Sequence, residues 1–191
     1  MRKRMRVSAK GIAELAEHEG IVPGPYLDSV GVWTFGVGHT AEAGRPDPEY
    51  MDKGMPRDVD AALRLAFQVF ATDLRKFENR VNEAIEVPLE QHEFDALVSF
   101  DFNTGGIYRA KLTAAINAGD PDASEHFYGW MRPPEIRTRR KAEKRLFDTG
   151  NYDANGDQIA VWGVDDLGNL TAPIMQMDGF KAVKLIQEAQ A

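Results

Sequence analysis

From Arg57 to Glu86 the apolar residues Val59, Leu63, Phe67, Phe70, Leu74, Phe77, Val81 and Ile85 recur at steps of three or four. That is the period of one helix face. Pro56 and Pro88 bracket the run and forbid its continuation. A helix of this span would be about 45 Å long at 1.5 Å per residue. It is too long for a single small lobe, so the pattern predicts a connecting helix with structure at both ends.

The segment N-terminal to it is of mixed character. Ser8 to His18 predicts a short helix, with Ser8 as N-cap, Ile12, Leu15 and Ala16 as the apolar stripe, and Gly20 as the stop. Pro23-Gly24-Pro25 excludes helix. Tyr26 to His39 predicts a β-hairpin: Asp28-Ser29-Val30-Gly31 is a turn signal and Val32-Trp33-Thr34-Phe35 is β-branched and aromatic. Gly36-Val37-Gly38 would let backbone pass close to a neighbour. A loop runs through Pro46, Pro48 and Gly54.

The segment C-terminal to it is mostly helical: Leu89 to Asn103, Ala110 to Ala118, Asp122 to Trp130 and Ile136 to Phe147, each ended by glycine or proline. After Asn151 the pattern changes to a turn at 153–157, a strand at Gln158 to Val164, a turn at 165–169 and a helix at Gly179 to Ala189. The fold class is α+β.

Composition narrows the chemistry. The 191 residues contain no cysteine, which excludes disulfides, thiolate metal sites and a cysteine nucleophile. The net charge of −7 argues against nonspecific attraction to nucleic acid or anionic membrane. Seven Lys/Arg against two Glu between Arg132 and Arg145 form either a solvated helix face or a patch facing an anionic polymer. No apolar run is long enough to span a membrane. The basic N-terminus, with Arg2, Lys3, Arg4 and Arg6, leads into an amphipathic segment rather than an apolar one, so no signal peptide is expected.

Glu19, Asp28 and Thr34 carry the chemical interest. Cleaving a glycosidic bond needs one carboxylic acid to protonate the leaving oxygen. It needs a second carboxylate to activate water or stabilise an oxocarbenium-like transition state. Glu19 falls at the C-terminal end of the first helix, where the dipole opposes a negative charge and favours the protonated form. Asp28 falls on a polar turn and is expected to stay ionised. Thr34 offers a hydroxyl that can hold a water.

The surroundings of this trio resemble the active-site signature of phage-type lysozymes, glycoside hydrolase family 24. The stretch contains Glu19-Gly20, then Tyr26-Leu-Asp28, then Gly31-Val-Trp-Thr34-Phe-Gly36-Val-Gly38-His39. Gln91 to Gly105, Ile116 to Asp120 and Arg139 to Gly150 are similar to later segments of that family. The resemblance runs from about Ala9 to Tyr152. It implies a lysozyme-like fold: a small N-terminal lobe with a β-hairpin (about 19–56), a connecting helix (about 57–86) and a helical C-terminal lobe (about 87–152 with the first helix). Residues 153–191 exceed the usual enzyme and are expected to pack on the 1–152 domain.

By position, the resemblance implies Glu19 as general acid, with Asp28 and Thr34 directing the attacking water. Inversion then requires about 6.5–9.5 Å between the carboxyls. It further implies substrate-binding residues at Gly38, Phe102, Asn103 and Arg139, the last also pairing with the catalytic Glu, and a structural pair between His39 and Asp73. The implied substrate is bacterial peptidoglycan, cleaved between N-acetylmuramic acid and N-acetylglucosamine. The implied setting is a monomer without cofactor or metal, held in the host cytoplasm until a holin-type pore admits it to the wall. It is expected neither to insert stably into membrane nor to bind nucleic acid.

Other features have quieter readings. His18 is a helix-end residue, and His92 and His126 have no companions at metal-ligand spacing. Asp153-x-Asn155-x-Asp157 resembles the start of a calcium loop but lacks its later ligands, so a turn is expected. Trp33, Trp130 and Trp162 are either core residues or sugar platforms. Pro23 and Pro25 stiffen the approach to Tyr26 and could alter the depth of Asp28. The rival functions are a non-hydrolytic wall-binding or virion protein, a lytic transglycosylase, and a helical nucleic-acid binder.

Overall fold

The computed structural model describes residues 3–153 and 156–190. The fold is α+β. The chain forms two compact units, one of residues 3–11 and 74–153, the other of residues 12–73 and 156–190. Asn155 of the calcium-like motif and Arg2 of the basic N-terminus lie outside the described residues.

The second unit holds a three-stranded antiparallel sheet: β1 (Val22–Leu27), β2 (Trp33–Gly36) and β3 (His39–Thr40). It begins with the end of α1 (Ala9–Glu19), which Ser8 caps by accepting a hydrogen bond from the Gly11 N–H at 3.0 Å. The hairpin starts four residues earlier than its sequence signal. β1 runs through Pro23 and Pro25, and its pairing with β2 is irregular between Val22↔Gly36 and Tyr26↔Thr34. Prolines have no N–H to give a ladder, so a bulge here absorbs them.

α2 (Val59–Asp73) packs on this sheet and on α7 (Gly179–Gln190). Its Leu63, Ala66, Phe67 and Phe70 are fully buried, as are Ala182 and Ile186 of α7. Gly36 is the close approach that the glycine-rich stretch predicts. It has φ +62°, and a Cβ there would lie 3.1 Å from the Ala66 side chain. β4 (Gln158–Val164) and β5 (Leu170–Asp178) form a second antiparallel hairpin. β5 has no strand signal in the sequence because nearly all its side chains are exposed and it contains Pro173. Backbone pairing with β4, rather than burial, makes it a strand.

The expected 57–86 helix is two helices. α2 ends at Asp73 and α3 (Arg75–Ala84) restarts after Leu74. The apolar period continues through the junction, so Leu74 and Val81 are fully buried. The helix geometry does not. Leu74 has ψ −18°, and its carbonyl accepts from both Phe77 and Glu78 N–H groups, a local 3-10 tightening. Just upstream, the Thr72 hydroxyl donates to the Gln68 carbonyl at 3.0 Å, a back-bond that bends helices.

The first unit is built on α4 (Gln91–Thr104), α5 (Lys111–Asn117), a 3-10 segment (Ala123–Trp130) and α6 (Arg137–Thr149). The tight 3-10 winding at 123–130 replaces the expected α-helix. Phe100 meets Phe127 and Trp130 edge-on, at centroid distances of 5.6 and 5.4 Å. Gly105, in the left-handed region, closes α4.

Candidate active site

Glu19 is the last residue of α1 and is exposed. The helix stops there because Gly20 turns to φ +75° after its N–H bonds the Ala16 carbonyl at 2.8 Å. The chain then enters β1 and arrives at Asp28 on the β1–β2 turn.

That turn is built by Asp28 itself. Its Oδ1 accepts from the N–H groups of Val30 and Val32, each at 2.9 Å. Its carbonyl accepts from Gly31 at 3.1 Å, and its own N–H donates to Val32 at 3.0 Å. The side chain therefore mimics a backbone turn and fixes its own rotamer. Thr34 is buried on β2, and its hydroxyl donates to the Val32 carbonyl at 3.0 Å, which leaves oxygen lone pairs as acceptors.

Tyr26 ties the trio together. It is paired in register with Thr34. Its phenol is pushed up to about 12, first by burial and then by the negative charges of Asp28 and Glu19. Both carboxylates thus act on one phenol that stays neutral at any working pH. The sequence marks Tyr26 only as a landmark of the motif. The signal that could have raised it is its place at the end of a strand, two residues before the Asp28 turn.

His39 is buried at 1% exposure. Its Nδ1 lies 2.8 Å from Asp73 Oδ2 and its Nε2 lies 2.8 Å from the Pro46 carbonyl. Both ring nitrogens are engaged, which anchors β3 to the end of α2 and to the following loop. Gly38 beside it is exposed with φ +72°, and a Cβ there would meet nothing within 4 Å. Backbone conformation, not crowding, asks for glycine at this position.

The remaining expected residues lie in the first unit. Arg139 is 7% exposed and its Nε donates to Glu143 at 3.0 Å. Arg140, fully buried, bonds the Asn103 side-chain oxygen at 2.7 Å and pairs with Glu143 Oε2 at 2.7 Å. Glu143 also accepts from Ser99 at 2.7 Å. Burial pushes the Glu143 carboxyl up, against the pull of the Arg140 and Arg139 charges. The same burial holds Arg140 below its ordinary range. Phe102 meets Phe77 edge-on at 5.2 Å, with the Arg139 guanidinium 6.0 Å from its ring centre. The basic run is therefore mixed: Arg132, Arg137, Lys141 and Arg145 are exposed, while Arg139 and Arg140 are interior. No tryptophan is wholly buried: Trp33, Trp130 and Trp162 are each half-buried. Among the described residues, no group of three His, Asp or Glu side chains is arranged to hold a metal ion. No helix among them is long and apolar enough to cross a membrane.

Known proteins are similar over most of this architecture. A family model described as phage lysozyme matches residues 16–143, which include Glu19, Asp28 and Thr34. The chain belongs to the phage lysozyme family. An endolysin of Salmonella phage P22 is 32% identical over 150 residues, spanning 75% of this chain and 98% of that protein. An endolysin of Acyrthosiphon pisum secondary endosymbiont phage 1 is 30% identical, spanning 76% and 99%. Among solved structures, the endolysin from Escherichia coli O157:H7 phage FAHEc1 superposes with a TM-score of 0.65 at 28% identity, covering 80% of this chain and 99% of that one. The muramidase domain of SpmX from Asticaccaulis excentricus superposes at 0.56 with 30% identity, covering 76% and 99%. This family member is a glycoside hydrolase of the lysozyme class with the mixed α+β lysozyme fold.

Proposed function

We propose that this lysozyme hydrolyses the β-1,4 bonds between N-acetylmuramic acid and N-acetylglucosamine in bacterial peptidoglycan. Glu19 protonates the leaving glycosidic oxygen. Asp28 aligns the attacking water through its outer carboxylate oxygen, since Oδ1 is committed to its own turn. Thr34 Oγ1, already donating to Val32, accepts a hydrogen from the same water. As the bond breaks, the water's proton passes to Asp28 and the product sugar is released with inverted configuration. The substrate contacts that the resemblance assigns to Gly38, Phe102, Asn103 and Arg139 belong to the same proposal. So do a monomeric state, host-cell lysis as the setting, residence in the host cytoplasm before release, and dependence on a holin-type pore.

The observation that carries this reading is the placement of the trio within the matched family stretch: Glu19 ends α1, Asp28 builds the β1–β2 turn and Thr34 lies buried on β2 in register with Tyr26. The test is reducing-end release from purified murein by the wild type and by Glu19→Gln. Hydrolysis predicts new reducing ends from the wild type and a loss of about 10²–10⁴-fold in the variant. Anhydro-sugar products by mass spectrometry would instead indicate a transglycosylase. Wild-type rates in Glu19→Gln would refute the assignment.

A further inference from the structure

The family match ends at residue 143, and the P22 endolysin aligns over nearly all its own length while spanning only 75% of this chain. The hairpin β4–β5 lies beyond that match. Its position within the second unit is nonetheless tied to the carboxylate-bearing segments. Two residues after Glu19, the Ile21 N–H donates to the Ala160 carbonyl at 2.9 Å and the Ile21 carbonyl accepts from Trp162 N–H at 2.9 Å. These two bonds form a parallel bridge between Ile21 and Val161. Directly before Asp28, the Leu27 N–H donates to the Gly168 carbonyl at 2.8 Å.

Side chains reinforce both ends. A Cβ placed on Gly20 would lie 3.0 Å from the Trp162 indole nitrogen. Trp162 therefore walls the turn that ends α1 at Glu19. At the other end, a Cβ on Gly168 would lie 2.5 Å from the Trp33 ring, so the 165–169 turn sits directly on the first residue of β2. Between them, a Cβ on Gly24 would lie 2.8 Å from Val164. The 165–169 turn is itself stiff, because Asp165 Oδ1 accepts from the N–H groups of Leu167 and Asn169 at 2.9 and 2.8 Å.

We propose that the β4–β5 hairpin is a clasp that fixes Glu19 and Asp28 relative to each other, with Trp162 and Gly168 as its positioning residues. This rests on the reading of those carboxylates as acid and water-director. The bulged, proline-interrupted β1 leads from one carboxylate to the other, and its ladder to β2 is irregular over Val22 to Tyr26. Hydrogen bonds from β4 at Ile21 and from the 165–169 turn at Leu27 grip β1 on either side of that irregular stretch. A strand held at both ends cannot let its termini drift, and misplacement of a catalytic group by about 1 Å can cost about 10²-fold.

The test measures kcat and KM on solubilised glycan strands for full-length Trp162→Ala, Trp162→Phe and Gly168→Ala. Leu185→Ala, on the buried face of α7, serves as a variant destabilised at a residue outside the hairpin and β1, and all are assayed at a temperature where circular dichroism shows them folded. The clasp predicts that Trp162→Ala and Gly168→Ala each lose about tenfold in kcat with KM within about twofold. Trp162→Phe, which keeps an aromatic wall against Gly20, recovers most of the loss. Leu185→Ala lowers the melting temperature but keeps kcat. If Trp162→Ala and Leu185→Ala lose kcat alike, or neither loses it, while Glu19→Gln is inactive, the clasp is overturned and the site assignment stands. Full activity in Glu19→Gln overturns both together.

Discussion

Two sets of carboxylates, one in each compact unit, serve opposite ends. In the first unit, Glu143, Asp101 and Asp95 are all within 1% of complete burial, and each is surrounded by partners. Glu143 takes two arginines and a serine. Asp101 takes a two-pronged Arg80 at 2.6 and 3.1 Å and the Ile107 N–H. Asp95 takes Ser8, Gln91 and the Tyr152 hydroxyl. In the second unit, Glu19 is exposed and Asp28 half-exposed, and backbone rather than guanidinium holds Asp28. Buried, paired carboxylates are out of a substrate's reach and act on stability. Asp28, accessible on a rigid turn, keeps its outer oxygen for chemistry. The difference teaches that burial decides whether a carboxylate serves stability or stays within reach of a substrate.

The sharpest way to break this contrast is to neutralise one carboxylate of each kind. Asp28→Asn should lose activity by about 10²-fold or more on murein, with an unfolding midpoint in urea close to wild type. Glu143→Ala should do the reverse in kind. It takes the carboxylate that Arg140 and Arg139 share out of the interior, at a cost of about 3–5 kcal/mol by the same unfolding measurement. Equal stability losses in the two variants would erase the distinction. His39→Ala tests whether the second unit also contains a purely structural polar group. Loss of both imidazole bonds and of its volume should cost about 2–3 kcal/mol by thermal unfolding.

Tyr26 provides the smallest and most diagnostic effect. Its pKa is raised from 10 to about 12, so the native state favours the protonated phenol more than the unfolded chain does. The resulting stability is fully present below pH 10 and is lost as pH rises toward 12, by about 1–3 kcal/mol. Unfolding measured across that window should show a decline that Tyr26→Phe removes. Ultraviolet titration of the phenol should also move downward in both Glu19→Gln and Asp28→Asn. A titration unmoved by either substitution would mean the carboxylates do not face this ring.

Much of the architecture was legible from residue order. The ends of α1, α4 and α6 follow Gly20, Gly105 and Gly150, because a helix stops where a left-handed residue is cheap. The period from Val59 to Ile85 predicts the buried face correctly. It does not reveal the break at Leu74, since a one-turn tightening hardly disturbs a three-to-four spacing. β5 is not legible in the sequence because an exposed strand carries no alternation. The basic run was legible as charge only. That Arg139 and Arg140 turn inward to Glu143 depends on where α4 places Ser99 and Asn103.

Sequence alone determined what is local: helix stops, the Asp28 turn, the glycine conformations, and the residue types at positions 19, 28 and 34. These arise from steric preferences and short-range hydrogen bonds within a few residues. Tertiary structure decided what is distant. It set Tyr26 opposite Thr34 across a bulge, and it brought Trp162 and Gly168 to the flanks of Glu19 and Asp28 from more than a hundred residues away. Such register and long-range pairing come from the packing of whole elements, whose competing arrangements no short stretch of sequence distinguishes.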